Sequence, residues 1–199
     1  MQISSEDVKK LRDKSGAGMM DCKKALAETN GDFNKAMELL RKKGIDVATK
    51  RQGRTASQGM VSSYIHMGGK VGVLVEINCE SDFVAKSENF VTFVKDVGMH
   101  IAAANPDWVN KEDVPQDVLD KEKEILKEQA LKSGKPEKIL DKIVEGKLGK
   151  FYAERCLIEQ PFVKDPDKTI KQLLEELIGK TGEKCVIKRF TRYQLGEEI

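Results

Sequence analysis

The strongest constraint on the fold is an apolar run followed at once by an amphipathic stretch. The segment Val71–Ile77 is an almost unbroken series of aliphatic, mostly β-branched residues, which predicts a central strand with little exposed surface. Downstream, apolar residues recur at three- and four-residue steps and so share one face of a helix: Phe90, Val91, Val94, Val97 and Ile101. A short junction, Asn78–Lys86, joins the strand to the helix, and the rest of the chain is interpreted as scaffold around it.

This junction has the sequence of a rigid turn with a tip. Ser81 can cap the helix, because its hydroxyl can accept a hydrogen bond from the amide of Phe83 or Val84. A short turn places the side chains of Asp82 and Phe83 where they need not face their own core. Two interpretations of Phe83 stay open. It folds back as a core residue, which residue statistics favour, or it is presented to a partner.

Composition and charge restrict the class of protein. The 199 residues, 39% of them hydrophobic, suffice for one ordinary domain and a small one. The net charge is only +2, so the whole molecule has no strong field to attract nucleic acid or an anionic membrane. No run approaches the ~18 apolar residues of a membrane span, and the first residues lack the features of a signal peptide. We expect a cytoplasmic protein that binds neither a membrane nor, directly, nucleic acid.

No local pattern indicates a metal, a cofactor or a disulfide framework. The cysteines are widely scattered with only two histidines beside them, and small buried thiols are predicted at Cys22, Cys79, Cys156 and Cys185. The Gly-Lys pairs at 69–70 and 179–180 lack the earlier glycine of a phosphate-binding loop. We therefore expect no catalytic residue, no metal and no cofactor, although a Cys/His nucleophilic pair stays open.

Residues 1–45 predict a bundle of three short helices. The first is capped by Ser4, and the third is capped by Asp32 and ends at Gly44. Such a bundle barely buries a core of its own, which is typical of a module that binds something. Met19 and Met20 begin the second helix and cannot both point inward, since neighbouring helical positions lie roughly 100° apart. We expect one to be presented and the other to fill the core.

Beyond the bundle, residues 46–57 predict a basic, polar linker and residues 58–199 an α+β core. The linker has no aromatic residue to stack on a base, so a solvated tether is favoured over an RNA contact. In the core, a hairpin and a last strand, Cys185–Tyr193, predict a small antiparallel sheet. Helices that begin near Pro115, Pro136 and Thr169 pack against it. The predicted fold class is thus α+β, with an N-terminal three-helix bundle, a linker and a sheet packed with helices.

Three motifs, in order along the chain, closely resemble those of the bacterial elongation factor Ts family. They are the segments Lys14–Leu26, Glu76–Lys86 and Glu159–Val163. The resemblance runs end to end. The family usually has threonine where this chain has Ser81, a change that keeps the capping hydroxyl. The chain is similar to the family's short form, without the second core subdomain, coiled-coil insertion and C-terminal helix of longer relatives.

The resemblance implies a partner and a mode of action. It implies that the bundle is similar to a ubiquitin-associated domain and that the protein is a guanine-nucleotide exchange factor without covalent chemistry. The implied partner is elongation factor Tu, in its GDP-bound and nucleotide-free forms. The implied contacts with its GTPase domain are Met19 and Met20 in the bundle and Ser81, Asp82, Phe83 and Val84 at the junction. Asp82 and Phe83 would push in beside the partner's magnesium and phosphate site.

Two other classes of function stay open. An RNA- or ribosome-binding module would use the basic linker and the charged last strand, and its binding would depend steeply on salt. A hydrolase would use Cys79 or Cys22 with a paired base and show thiol-dependent turnover.

A homodimer is also expected, because one small sheet leaves an edge or a face that a second chain can cover with two-fold symmetry.

Overall fold

The structure is a computed structural model that describes residues 3–133, 136 and 139–198. Its helices are α1 Ser5–Ser15, α2 Met19–Glu28, α3 Phe33–Arg51, α4 Asp82–Ala85, α5 Glu88–Ala104, α6 Gln116–Lys132, α7 Leu140–Arg155 and α8 Ile170–Thr181. Its strands are β1 Gln58–His66, β2 Val71–Cys79, β3 Pro161–Phe162, β4 Asp165–Thr169 and β5 Cys185–Gln194. N-terminal helices precede a small antiparallel sheet packed with helices, so the predicted α+β class is confirmed.

Helices α1 to α3 form the predicted bundle around a small apolar core. The Ser4 hydroxyl caps α1 by accepting from the amide of Asp7 at 3.1 Å, and the Asp32 carboxylate caps α3 through the amide of Lys35 at 3.0 Å. The buried residues of this core are Val8, Leu11, Cys22, Ala25, Leu26 and Ala36. Both caps are those that the sequence predicts, because a short polar side chain satisfies otherwise unpaired amides of the first turn.

Helix α3 is longer than predicted. The expectation that it ends at Gly44 is wrong, because it continues to Arg51, through half of the segment expected to be a linker. Gly44 instead serves a close contact with α8, where a Cβ added at Gly179 would lie 3.0 Å from the Cα of Gly44. A glycine can therefore mark close packing rather than a helix end. The division into bundle, linker and core at residues 1–45, 46–57 and 58–199 stays a prediction.

The main sheet has the strand order β1–β2–β5. Along β2, alternate residues are buried, namely Val71, Val73, Val75, Ile77 and Cys79, as expected for a central strand with one covered face. Gly59 of β1 has a φ of 142°, and a Cβ there would come within 2.2 Å of the carbonyl oxygen of Ile77. The strands thus approach so closely near the end of β2 that only glycine fits in β1.

The described chain divides into two compact units. The first contains residues 3–61, 76–95 and 172–187, and so holds the bundle, the end of β2, α4 and most of α8. The second contains the described parts of 62–75, 96–171 and 188–198, with α6, α7 and the β3–β4 hairpin. The predicted start of α7 near Pro136 involves Glu137 and Lys138, which lie outside the described residues. Within the described chain, no helix is both long and apolar enough to cross a membrane.

A buried histidine of the second unit, His100, connects α5 to the segment Glu159–Val163 through hydrogen bonds. His100 is fully buried on α5, and its Nε2 lies 2.9 Å from Oε1 of Gln160, whose own amide group donates to the carbonyl of Glu154. Its Nδ1 faces the amide of Val163 at 3.4 Å. Burial lowers the pKa of His100. A neutral imidazole that donates to Gln160 and accepts from Val163 therefore joins α5 to the third sequence motif, Glu159–Val163.

Candidate functional site

The junction between β2 and α4 presents an exposed aromatic side chain on a capped turn. Phe83 is 83% exposed, whereas its neighbours Val84 and Ala85 are buried. The interpretation of Phe83 as a core residue is therefore wrong. The one-turn helix α4 buries its last two residues, and Phe83 lies on the face that points away from them.

The predicted long helix after Ser81 is interrupted. Helix α4 ends at Ala85, and α5 begins at Glu88. The hydroxyl of Ser87 donates to the carbonyl of Val84 at 2.7 Å and accepts from the amide of Phe90 at 3.4 Å. Ser87 thus caps α5 a few residues after Ser81 caps α4. We call residues Ser81–Val84 the tip. Because each of the two helices has its own cap, the tip is a structural element separate from α5.

Ser81 joins the tip to a distant part of the same unit. Its hydroxyl accepts from the amide of Val84 at 3.3 Å, as predicted for a cap. The same hydroxyl donates to Oε1 of Glu183 at 2.7 Å, and the Ser81 amide donates to Oε2 at 3.0 Å. The thiol of Cys79 donates to the Ser81 carbonyl at 3.1 Å. The amide, the carbonyl and the hydroxyl of Ser81 therefore all form hydrogen bonds.

Glu80, the residue before the tip, has a second set of contacts. Its Oε1 accepts from the amide of Lys184 at 2.7 Å, and its Oε2 accepts from Arg54 at 3.0 Å. Arg51 lies 3.8 Å from the same carboxylate. The ammonium of Lys184 donates to the carbonyls of Gln52 and Arg54 at 2.6 and 2.8 Å. Arg51 and Arg54, two cations of the predicted linker, are thus paired with Glu80, which weighs against the alternative that this segment binds RNA.

Asp82 is exposed and faces a lysine of its own turn. The ammonium of Lys86 lies 2.9 Å from the Asp82 carboxylate. The hydrogen bond from Lys86 and its charge hold the pKa of Asp82 below its usual range, so the carboxylate is ionised at neutral pH. Both side chains are largely exposed, and such pairs contribute little to stability. A partner can therefore replace Lys86 at small cost.

Met19 and Met20 form a second exposed apolar surface, in the bundle. Met19 is 46% and Met20 63% exposed. The expectation that one of them fills the core is wrong, since Met19 precedes Cys22 by one turn but lies at the first position of α2, outside the buried cluster. Two adjacent flexible thioether side chains are suited to contact with another protein.

The cysteines do not support a nucleophilic site. All four are free and buried, as predicted. Burial raises the pKa of the Cys79 thiol, that of Cys156 to about 11 and that of Cys185 to about 12. Only an accessible thiolate is a good nucleophile, so the raised pKa of Cys79 and the burial of both Cys79 and Cys22 disfavour a hydrolase that uses either thiol. Among residues 3–133, 136 and 139–198, no three His, Cys, Asp or Glu side chains come together as metal ligands.

The residue that sequence reasoning missed is Glu183. It is 102 positions from Ser81, so no local spacing can reveal the contact. The only signal is its place in the short polar turn between α8 and β5, where an acidic residue has no role in packing. Of the tip residues, Asp82 and Phe83 are exposed, as are both methionines, whereas Ser81 is half-buried and Val84 is buried.

Comparison with known proteins gives a consistent picture. The family model "Elongation factor TS" matches residues 4–197. An elongation factor Ts of Caldanaerobacter subterraneus is 59% identical over 197 residues, which cover 99% of this chain and 98% of the relative. Those of Syntrophus aciditrophicus and Geobacter sulfurreducens are 58% and 57% identical over 199 residues, and the matches cover 99% and 92% of these relatives.

Proposed function

The chain belongs to the elongation factor Ts family, with a role in translation elongation and no covalent chemistry of its own, and on this premise we propose that it releases GDP from elongation factor Tu. The proposed partner is the GTPase in its GDP-bound and nucleotide-free forms. GTP rebinds after GDP has left. The proposed location is the cytoplasm, where translation elongation takes place.

The observation that carries the proposal is the exposure of Phe83 on an anchored tip. Transfer of an exposed phenyl ring from water into an apolar protein pocket is favourable in free energy. The two hydrogen bonds from Ser81 to Glu183 hold the tip in one orientation in the free protein. Because the tip is ordered before binding, little conformational entropy is lost when it inserts. Phe83 is therefore suited to act as a wedge.

A wedge at this place can release nucleotide because of how GTPases hold GDP. They hold it largely through phosphate contacts and a bridging magnesium ion. A small displacement of the partner's supporting elements removes several of these charge-assisted contacts together. We propose that Phe83 causes this displacement, and that the ionised carboxylate of Asp82 competes for groups around the partner's metal.

Met19 and Met20 supply a separate contact in this proposal. Their exposed side chains bury apolar area on the GTPase domain and raise affinity without acting on the nucleotide site. By thermodynamic linkage, the factor weakens GDP binding by the same ratio by which GDP weakens binding of the factor. The tip and the methionines therefore divide exchange and recognition between two surfaces.

The decisive experiment is release of fluorescently labelled GDP from elongation factor Tu, followed with and without this protein. We expect release to accelerate with factor concentration until it saturates. A control with labelled RNA covers the other class, because an RNA-binding module would show binding that falls steeply with salt. Unchanged GDP release at saturating factor would refute the proposal.

We also propose that the protein is a homodimer. On the outer face of β2, Leu74 is 53% exposed, and on the neighbouring strand Ile65 is 64% exposed, with its Cδ1 3.4 Å from the position of a Cβ on Gly72. These side chains form an apolar patch on one sheet face, which a second copy can cover. Sedimentation equilibrium at micromolar concentration should give about twice the chain mass of 22.3 kDa. A single species of one chain mass would contradict dimer formation.

A further inference from the structure

We propose that Glu183 is a positioning residue that fixes the direction in which Asp82 and Phe83 project. The inference rests on the proposed function, because it assigns Glu183 to the exchange reaction without placing it in contact with the partner. Glu183 accepts two hydrogen bonds from Ser81, at 2.7 Å from the hydroxyl and 3.0 Å from the amide, one through each carboxylate oxygen.

The tip needs such support because it cannot hold its own conformation. Helix α4 has four residues, Asp82–Ala85, which is too short for helical hydrogen bonds alone to stabilise it. Of its two exposed side chains, Asp82 pairs with the exposed Lys86 of the same turn, and Phe83 is 83% exposed, so neither is held by burial in the protein. Their direction is therefore set by the α4 backbone, and the capping residue Ser81 sets the start of that backbone.

Glu183 acts on the cap itself. The donated proton of the Ser81 hydroxyl points to Glu183, which directs the oxygen lone pairs towards the amide of Val84. The second carboxylate oxygen holds the Ser81 amide. A single side chain thus fixes both the backbone and the side chain of the capping residue. Hydrogen bonds to an ionised carboxylate are shorter and stronger than those to neutral acceptors.

Glu183 is in turn held by its own neighbours. Its amide donates to the hydroxyl of Thr181 at 3.4 Å, and that hydroxyl donates to the carbonyl of Leu177 in α8 at 2.9 Å. The next residue, Lys184, donates its amide to Glu80 at 2.7 Å. Consecutive residues 183 and 184 therefore contact consecutive residues 81 and 80. This two-point attachment transfers the rigidity of the end of α8 to the tip.

We expect the loss of Glu183 to lower the maximal rate of GDP release and to leave the affinity for the partner almost unchanged. If α4 loses its fixed direction, Phe83 reaches its productive position in only part of the encounters, and small misplacements cost up to about a hundredfold in well-positioned reactions. We expect Glu183→Ala to lower the maximal GDP-release rate about tenfold. The factor concentration at half-maximal rate should change much less, because Met19 and Met20 are untouched. Glu183→Gln keeps one acceptor and should give an intermediate rate.

The experiment measures stopped-flow release of labelled GDP from elongation factor Tu over a range of concentrations of the full-length protein. The variants are Glu183→Ala, Glu183→Gln and Phe83→Ala. Asp96→Asn is a matched control, since Asp96 is a partly buried acid that accepts from Lys164 at 2.7 Å in the other unit. This control should exchange normally. Amide hydrogen exchange of residues 81–86 should accelerate in the two Glu183 variants and stay unchanged in the control.

The outcomes separate the two proposals. If Phe83→Ala slows release but both folded Glu183 variants reach the normal maximal rate, the positioning role is wrong and the exchange function stands. If Phe83→Ala also leaves release unchanged while the unmodified protein accelerates it, the tip has no role in exchange and the positioning role of Glu183 fails with it, whereas the GDP-release function stands. Adding Ser81→Ala tests the route of action. The Glu183→Ala effect should shrink in the Ser81→Ala background, because part of the contact is already lost, and fully additive effects would overturn the inference.

Discussion

Truncation of Phe83 separates a partner-binding wedge from a core residue, because the two respond oppositely. Phe83 is 83% exposed, so Phe83→Ala removes few intramolecular contacts and should change the free energy of unfolding by no more than roughly 0.5 kcal/mol. Phe90, seven residues on, is fully buried. Phe90→Ala should lose ~3–5 kcal/mol, which makes it a matched control in the same part of the chain.

The cost to exchange follows from the area that the ring buries in the complex. Transfer of an exposed phenyl ring to a buried site is worth about 1.5–3 kcal/mol. Since each 1.4 kcal/mol corresponds to a factor of ten, Phe83→Ala should lower the efficiency of GDP release by about ten- to a hundredfold.

Thermal unfolding of Phe83→Ala tests the predicted change in stability, and stopped-flow release of labelled GDP on the same preparations tests the predicted loss of exchange. The wedge role requires a melting temperature close to that of the unmodified protein together with slow exchange. If Phe83→Ala is destabilised as strongly as Phe90→Ala, and its folded fraction exchanges nucleotide normally, the reasoning about the tip is refuted.

Two further predictions concern recognition and pH. Replacement of Met19 and Met20 together by alanine should raise the concentration of factor at half-maximal GDP release while leaving the maximal rate unchanged; a reduced maximal rate would contradict the division between recognition and exchange. Burial lowers the pKa of His100, so as the pH falls through about 6.5 the unfolded chain binds a proton that the folded protein does not, and the free energy of unfolding should fall with the pH. In urea unfolding, the free energy of unfolding should depend less steeply on pH in His100→Gln than in the unmodified protein. An equal pH dependence would contradict the assignment of His100 as a neutral buried residue.

Local patterns predicted most of the elements, because the residues that decide them are close in sequence. Ser4 and Asp32 cap the helices they were expected to cap. The β-branched run from Val71 folds as a central strand. The break between α4 and α5 was missed, because the apolar face continues across it and only the hydroxyl of Ser87 marks it.

The position of the capped turn was predictable from the sequence, but the exposure of Phe83 and the contact that supports the turn were not. A capping serine followed by an acid and an aromatic residue left Phe83 open between a core residue, which residue statistics favour, and an exposed one, and only the family resemblance implied the exposed one. Neither indicates Glu183, because its contact with Ser81 depends on how the chain returns to the junction after a hundred residues. The exposure of both Met19 and Met20 was also missed, since helical periodicity describes directions and not where a bundle ends.

The continuity of α3 through Gly44 fixes the length of the chain between the bundle and the core. Each residue of an α-helix adds about 1.5 Å of rise and about 100° of rotation. A single residue inserted between Ala36 and Gly44 would therefore move Gly44 off Gly179, or else turn the bundle by more than a quarter of a revolution about the helix axis. The exposed side chains of Met19 and Met20 on α2 would then face a different direction, although every local contact inside the bundle could remain. Helical phase, and not only composition, thus restricts where insertions can be accepted in this part of the chain.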